Sequence, residues 1–147
     1  MNKSSVTKAI LWVAAGVAAG YLVWRVMPGY FRQEEDRRSQ EFLSRIAAEL
    51  NKSGPVMIDQ ETELLASEGA QGMLIYNYRL VSYSAAQLDR NRFAAGVKER
   101  VVQGACSRPE TRDEYLKNGV TLRYSYFDKN KQHIATVDVT PADCGFR

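Results

Sequence analysis

Hydrophobic and polar positions form three different patterns along this chain. Residues 9–24 are uninterrupted by charge and lie between Lys8 and Arg25, which is typical of a helix in a membrane. Further along, apolar residues recur first at helical spacing and then at every second position. These patterns predict four segments: a basic N-terminal segment at 1–8, a transmembrane anchor at 9–27, a juxtamembrane stalk at 28–38 and an α+β domain at 39–147.

The anchor is predicted from its length and its flanks. Sixteen uncharged residues form a helix of roughly 24 Å, and Lys8 and Arg25 extend the span if their charged ends reach the two interfaces. Two alternatives stay open. A signal peptide cleaved near Ala18 and Gly20 shows the same order of features, and a buried core helix is equally apolar.

Two opposing signals indicate on which side of the membrane the domain lies. The basic residues that follow the span favour a cytoplasmic domain, whereas two cysteines in a small domain favour an oxidising compartment. We predict a single-pass membrane protein with its domain outside the cytoplasm. Gly16 and Gly20 have the G-x-x-x-G spacing that permits pairing of two membrane helices, although small residues are common in such helices anyway.

The domain pattern predicts helices and strands in the order α-β-β-α-α-β-β. A helix at 39–52 is amphipathic, two strands follow around the turn at 68–72, and Ser84 begins a long helix reaching about 103. A short helix opens with Ser107 and Pro109 and ends at Gly119. Two more strands close the chain, so the fold class predicted is α+β, with a four-stranded antiparallel sheet and helices packed on one face.

Charge narrows the range of partners. Lys3, Lys8 and Arg25 account for the net charge of +3, so the chain from Val26 onward is electrically balanced. A balanced domain lacks the basic patch that nucleic-acid binding requires. The expected partners are therefore the lipid bilayer, through the N-terminal helix, and another protein.

The alternating strands predict two faces of different character. One face carries tyrosines that would lie under the helices and could line a ligand pocket: Tyr76, Tyr78, Tyr124 and Tyr126. The opposite face combines apolar and arginine side chains, which is typical of an interaction surface but also of ordinary cross-strand pairs: Met73, Ile75, Asn77, Arg79, Arg123 and Ser125.

Few residues in this sequence are candidates for catalysis or for metal or cofactor binding. The single histidine, His133, could form a dyad with a cysteine and an aspartate, but the spacing of these residues matches no catalytic signature. We predict no catalytic residue, no metal site and no cofactor. Cys106 and Cys144 are most simply interpreted as a disulfide, with two separate thiols as the alternative. The absence of a C-x-x-C motif gives no support to a thioredoxin-like or zinc role.

Several stretches of the chain carry a resemblance over residues 55–145. They are the strand at 72–81, Cys106 ahead of residues 109–112, the strand at 119–128 and the terminal Asp-Cys-Gly at 143–145. Together with the apolar start, these resemble small envelope proteins of Gram-negative bacteria that have no assigned activity. The resemblance implies a bacterial envelope location, with the anchor in the inner membrane and the domain in the periplasm, and a bridge between Cys106 and Cys144.

The leading functional hypothesis is a non-catalytic, membrane-anchored envelope protein that binds another protein as an accessory part of a secretion or envelope assembly. The alternative is a small-ligand binding or sensing domain that uses the tyrosine face. A third hypothesis, a thiol enzyme, would require His133 next to a free Cys106 or Cys144, oriented by Asp128 or Asp138.

Overall fold

The computed structural model of this chain describes residues 36–147, which form a sheet covered by helices. The elements, in chain order, are α1 (Gln40–Asn51), β1 (Val56–Met57), β2 (Thr62–Ala70), β3 (Met73–Leu80), α2 (Arg90–Ser107), α3 (Pro109–Glu114), β4 (Thr121–Phe127) and β5 (His133–Val139). Short 3₁₀ turns lie at Ala85–Gln87, Leu116–Asn118 and Pro141–Cys144.

The sheet has five strands in the order β1-β2-β3-β4-β5, and its pairs are antiparallel except β3 with β4, which are parallel. The prediction of a four-stranded antiparallel sheet is therefore wrong on two counts. Val56 and Met57 pair with β2 as a fifth strand. The chain between β3 and β4 crosses over through α2, which returns it to the end where β3 began, and β4 therefore runs parallel to β3.

The predicted fold class also included a transmembrane helix, and the described part of the chain has no helix long and apolar enough to cross a membrane. The span predicted at 9–27 lies outside the described residues. The same holds for the alternative signal peptide, for the predicted bilayer contact and for a homodimer formed through Gly16 and Gly20 of two membrane helices.

Local signals place α1. The side chain of Ser39 caps it by accepting a hydrogen bond from the backbone N–H of Phe42 at 3.2 Å. Helical spacing then brings Leu43 and Ala47 to the buried side, where they contact Leu74 and other core residues. The helix is thereby fixed over the β2–β3 half of the sheet.

Contacts between α1 and β2 fix the sheet edge. Asn51 makes two hydrogen bonds to the backbone of Ser67, donating to its carbonyl at 2.9 Å and accepting from its N–H at 2.7 Å. One side-chain amide thus replaces a neighbouring strand where β1 is absent. The hydroxyl of Ser44 donates to the carbonyl of Gly69 at 3.1 Å, so α1 covers the edge that β1 leaves open.

The C-terminal segment is fastened to α2 at two points. The structure joins Cys106, in the last turn of α2, to Cys144 by a disulfide with Cα atoms 5.4 Å apart. About two helical turns earlier, the ammonium group of Lys98 donates to the carbonyl of Asp138 and, at 3.0 Å, to the carboxylate of Asp143. These contacts hold the helical layer against β5.

Asp128 is a buried carboxylate that organises the turn between β4 and β5. Only 1% of this residue is exposed. Its oxygens accept hydrogen bonds from the backbone N–H groups of Ala85, Asn130 and Gln132 at 2.8–2.9 Å. These bonds, the one from Ala85 first, lower the pKa of the Asp128 carboxyl below its usual 3.8.

Replacing Asp128 with asparagine is therefore expected to lower stability at neutral pH and to weaken its dependence on acid. Because folding lowers the pKa of Asp128, its contribution is full above the unfolded-state value of 3.8 and is lost as pH falls through the folded-state value. Urea unfolding at pH 7 and at several values below pH 4 measures this. Asp89→Asn is the control, since asparagine caps α2 equally well; an unchanged acid profile for Asp128→Asn would contradict the prediction.

Candidate functional site

A pocket of about 330 Å³ opens between α2 and the corner that joins β1 to β2. Its floor is the helix-facing side of the sheet, where Tyr78, Tyr124 and Tyr126 lie side by side. The remaining lining residues come from the β1–β2 corner, from β3 and from α2: Ile58, Asp59, Thr62, Leu80, Phe93, Val97, Arg100 and Val101. We call this cavity the tyrosine pocket.

The parallel register of β3 and β4 brings the tyrosines together. Tyr76 lies beside Tyr124, and Tyr78 lies beside Tyr126, with stacked rings whose centroids are 5.4 Å and 5.3 Å apart. Phe93 of α2 meets Tyr126 edge-on at 5.3 Å. Three of the four tyrosines of the predicted ligand pocket thus line the cavity, whereas Tyr76 packs against the core cluster around Leu43.

The phenols of the pocket are neutral hydrogen-bond donors. Burial raises the pKa of Tyr78 to about 12 and also raises the pKa of Tyr124 and Tyr126. The charge of Arg108 offsets part of the rise in the pKa of Tyr78 and Tyr124; at Tyr126 the charge of Asp59 adds to the rise and that of Arg100 offsets part of it. An aromatic floor with donor groups suits a ligand that has both apolar and acceptor atoms.

The corner between β1 and β2, at one side of the pocket, exposes two apolar side chains. Met57 and Ile58 are 50% and 56% exposed, and Ile58 lines the cavity. Asp59 next to it holds the corner by accepting hydrogen bonds from the N–H groups of Glu61 and Thr62, each at 2.8 Å. The corner therefore presents exposed apolar side chains on a backbone that its own hydrogen bonds fix.

The predicted interaction face lies on the other side of the sheet. Register pairs Ile75 with Arg123 and Asn77 with Ser125, so the six predicted residues are neighbours on β3 and β4. Their polar groups contact partners on the next strand: Arg79 with Glu63 at 2.5 Å, Asn77 with Glu68 at 2.8 Å, Arg123 with Asp138 through two bonds of 2.8 Å, and Ser125 with Thr136 at 3.5 Å.

Both arginines of that face form ion pairs within the sheet, so neither guanidinium is free to pair with a charged group of a partner. The paired Asp138 raises the pKa of Arg123, and Arg123 in turn lowers the pKa of Asp138. A partner would have to break these pairs or bind around them. Met73 and Ile75 remain half-exposed beside the pairs and are the apolar part of this surface.

The cysteine and aspartate side chains that a thiol enzyme would require are engaged in other bonds and contacts. Cys106 and Cys144 are bonded to each other, Asp128 accepts backbone hydrogen bonds and Asp138 pairs with Arg123. His133 is exposed and its Nε2 lies 2.9 Å from the hydroxyl of Thr136. Within residues 36–147 no group of three or more histidine, cysteine or acidic side chains is arranged to hold a metal ion.

The walls of the pocket were not predicted from the sequence. The long helix predicted after Ser84 contains Phe93, Val97 and Val101, but its pattern does not distinguish residues over the core from those that line a cavity. The Val-Met-Ile run at 56–58 was predicted only as an extended entry to the first strand, with no surface role, and it is 37–56% exposed in the structure. Three consecutive apolar residues directly after a Gly-Pro pair were the available signal, since such a run is too short to form a core element of its own.

Comparison with known proteins finds similarity in structure but none in family models or among curated sequences. The pilotin EpsS of the Vibrio vulnificus type 2 secretion system is 17% identical with a TM-score of 0.60, covering 78% of this chain and 98% of EpsS. The type II secretion pilotin AspS of Vibrio cholerae is 17% identical with a TM-score of 0.57, covering 76% and 96%. A Pseudomonas aeruginosa protein described as secreted is 21% identical with a TM-score of 0.59, covering 71% and 91%.

These matches span nearly the whole of each neighbour and show a common fold. Their identities of 17–21% carry no residue assignment to this chain. The neighbours are a secreted protein and two secretion-system proteins, which agrees with the envelope class that the sequence resembles. The shared fold leaves open which surface binds what, and that must be argued from the pocket and the sheet faces.

Proposed function

We propose that this chain is a non-catalytic protein of the bacterial envelope that binds another protein as an accessory part of a secretion assembly. The main support is the fold shared with two type II secretion pilotins over 96–98% of their length. The disulfide between Cys106 and Cys144 supports a location outside the cytoplasm, because disulfides persist in oxidising compartments such as the periplasm.

The tyrosine pocket is the binding surface we propose, in preference to the predicted interaction face. Ile58 lines the pocket and is exposed together with the neighbouring Met57, whereas Arg79 and Arg123 on the other face are occupied by Glu63 and Asp138. Exposed apolar side chains around an aromatic cavity are typical of the centre of an interface, where anchors of a partner are buried. The opposite face remains the second candidate surface.

Site-specific photocrosslinking tests the function and separates the two surfaces. A photoreactive phenylalanine analogue is placed at Ile58 in the pocket rim, at Ile75 on the opposite face, or at Glu110 on α3 as a control, in the cells that naturally make the protein. We expect one discrete adduct from Ile58, identified by mass spectrometry as an envelope component of a secretion system. An adduct from Ile75 alone would transfer the function to the opposite face, and equal labelling from all three positions would refute a specific partner.

A small-ligand binding function is the second candidate, favoured by the cavity itself. Its volume of about 330 Å³ lies at the lower end of the range for small-molecule sites, and its floor has three phenols. Native mass spectrometry of the protein purified without denaturation distinguishes the two functions. A stoichiometric bound small molecule that disappears in Tyr126→Phe would support ligand binding, and an empty protein would count against it.

A further inference from the structure

The floor of the tyrosine pocket presents ring edges rather than ring faces. Tyr78 stacks with Tyr124 at 8° between the ring planes and with Tyr126 at 21°, and the centroids are 6.2 Å and 5.3 Å apart. Because these neighbours cover each other's faces, each ring turns its outer edge, with the hydroxyl group, toward the helices. Ring edges carry partial positive charge and prefer the negative face of another aromatic ring. The floor therefore favours a flat aromatic group that lies across it.

The pocket already contains one perpendicular contact between aromatic rings. The ring of Phe93 on α2 crosses that of Tyr126 at 79°, with centroids 5.3 Å apart, and both residues line the cavity. Among residues 36–147, Tyr78 and Tyr124 have only stacked aromatic neighbours. The same kind of perpendicular contact thus remains available over these two rings.

The lining of the pocket carries one acid and one base. Asp59 of the β1–β2 corner and Arg100 of α2 are both exposed and both line the cavity. In addition to the effect of burial, Asp59 raises the pKa of Tyr126 and Arg100 lowers it, so both charges act on the interior. An anionic ligand group is attracted by Arg100 and repelled by Asp59, and a cationic group meets the reverse. The balance favours an uncharged group.

Both charged side chains have capacity for contacts with an uncharged ring. The printed hydrogen bonds of the Asp59 carboxylate, from the N–H groups of Glu61 and Thr62, go to the same oxygen, Oδ1. A carboxylate can accept about four hydrogen bonds. Arg100 attracts Asp59 at longer range but makes no hydrogen bond or ion pair with any residue in 36–147, and a guanidinium is attracted to an aromatic face. An aromatic ring with an N–H group at its edge uses both.

We propose that the tyrosine pocket binds a tryptophan side chain of the partner protein. The indole ring lies across the edges of Tyr78 and Tyr124, its N–H group donates to the carboxylate of Asp59, and the guanidinium of Arg100 contacts its free face. This inference rests on the proposed function and names the side chain by which the partner is held. Tryptophan is also among the residues most often found as anchors at the centre of protein interfaces.

The size and walls of the cavity agree with this anchor. A volume of about 330 Å³ equals that of about eleven water molecules at about 30 Å³ each, which is room for one bicyclic ring. The sides of the cavity at Leu80, Val97 and Val101 are apolar, as burial of the hydrocarbon part of the ring requires. The exposed Ile58 at the corner remains available to the residues that flank the tryptophan.

The test is a titration of the purified full-length protein with three blocked pentapeptides, followed by changes in its methyl NMR spectrum. The probe is Ser-Thr-Trp-Thr-Ser. One control has leucine in the central position, and the other has benzothienylalanine, which keeps the bicyclic ring but has no N–H group. We expect the leucine peptide to bind about tenfold more weakly and the benzothienyl peptide roughly threefold to tenfold more weakly, since the first lacks the ring and the second the hydrogen bond.

The position of the ring has a signature of its own in the spectrum. An indole ring on the floor shifts the methyl signals of Leu80 and Val97 by its ring current, and its protons show nuclear Overhauser contacts with both side chains. The methyl signals of Ile75 on the opposite face are the internal control and should not move.

Two exposed variants separate the charged contacts. Asp59→Asn keeps an oxygen that accepts the backbone bonds of the corner, and it should remove most of the difference between the tryptophan and benzothienyl peptides. Arg100→Met keeps a long side chain on α2 and should weaken both aromatic peptides about threefold without changing the leucine peptide. Arg112→Met on α3 is the matched control and should alter none of the three.

Three outcomes overturn the inference. They are equal binding of the leucine and tryptophan peptides, the absence of contacts between the indole and Val97, and unchanged binding of the tryptophan peptide in both Asp59→Asn and Arg100→Met. A small indole compound found in the purified protein by native mass spectrometry would likewise replace the partner's side chain with a free ligand.

The proposed function has its own readout in the adduct from Ile58. An adduct that persists when alanine replaces the tryptophans of the partner would refute the anchor while supporting the partner. Binding of the tryptophan peptide without any adduct would support an aromatic site in the pocket and refute the proposed function.

Discussion

Replacing Gly69 with alanine is expected to lower the free energy of unfolding by about 3 kcal/mol. A Cβ atom at this position would lie within 2.5 Å of backbone atoms of Leu43 and Ser44. No rotamer change relieves such a clash, because the atoms belong to the backbone of α1. The helix would have to move away from β2, which would loosen Leu43 in the core and stretch the hydrogen bond from Ser44 to the Gly69 carbonyl.

The sign of this effect makes it diagnostic. Alanine in place of glycine usually stabilises a protein where space permits, because the unfolded chain loses conformational freedom. Gly96 of α2 is the matched control, since a Cβ atom there would meet nothing within 4 Å. Urea unfolding followed by circular dichroism should show Gly69→Ala strongly destabilised and Gly96→Ala stabilised by about 0.5–1 kcal/mol. Equal midpoints for Gly69→Ala and the wild type would mean that α1 does not lie on β2 in this way.

The helices of this domain could be predicted because their signals are local. The helix predicted at 39–52 is α1, capped by Ser39, and Gly119 takes the left-handed conformation expected at a helix end, with φ of +81°. Each signal depends on residues within one or two turns. The prediction of the long helix was less accurate: it begins at Arg90 after a cap by Asp89, because Ser84 instead opens a separate 3₁₀ turn.

The sheet could not be predicted as well because its pairing joins distant residues. Val56 and Met57 form a strand of two residues, too short to show any alternation. The parallel pair of β3 and β4 could have been deduced, since a helix of eighteen residues stands between the two strands and such crossovers usually join parallel neighbours. The edge contact between Asn51 and Ser67 has no counterpart in any sequence pattern.

Only part of the candidate site could be predicted from the sequence: the grouping of the tyrosines, but not the cavity beside them. Alternation along β3 and β4 correctly grouped the tyrosines, because side chains two residues apart share a face of the sheet. Whether a given tyrosine lies in the core or beside a cavity depends on how far apart α1 and α2 are at that level. Tyr76 lies where residues of both helices join the core cluster, while Tyr126 lies beyond α1 and is covered by Phe93.

Removing the disulfide should be the second large effect. The double variant Cys106→Ser with Cys144→Ser is expected to lower the free energy of unfolding by about 3–4 kcal/mol, because the bond closes a loop across a sequence separation of 38 residues and so restricts the unfolded chain. That is a large share of the roughly 5–15 kcal/mol that stabilises an ordinary domain. Urea unfolding of the oxidised wild type and of the variant measures the difference.

Reduction of the disulfide in the wild type is the control for this prediction, and its result also bears on where the protein is located. Treating the wild type with dithiothreitol should move its unfolding midpoint to that of the double variant, and the variant itself should not respond. A wild type whose midpoint is the same with and without reductant would contradict the prediction, and the contacts of Lys98 with Asp138 and Asp143 would then suffice to hold the C-terminal segment. If the midpoint does shift, the domain reaches its full stability only where thiols are oxidised, as the proposed envelope location requires.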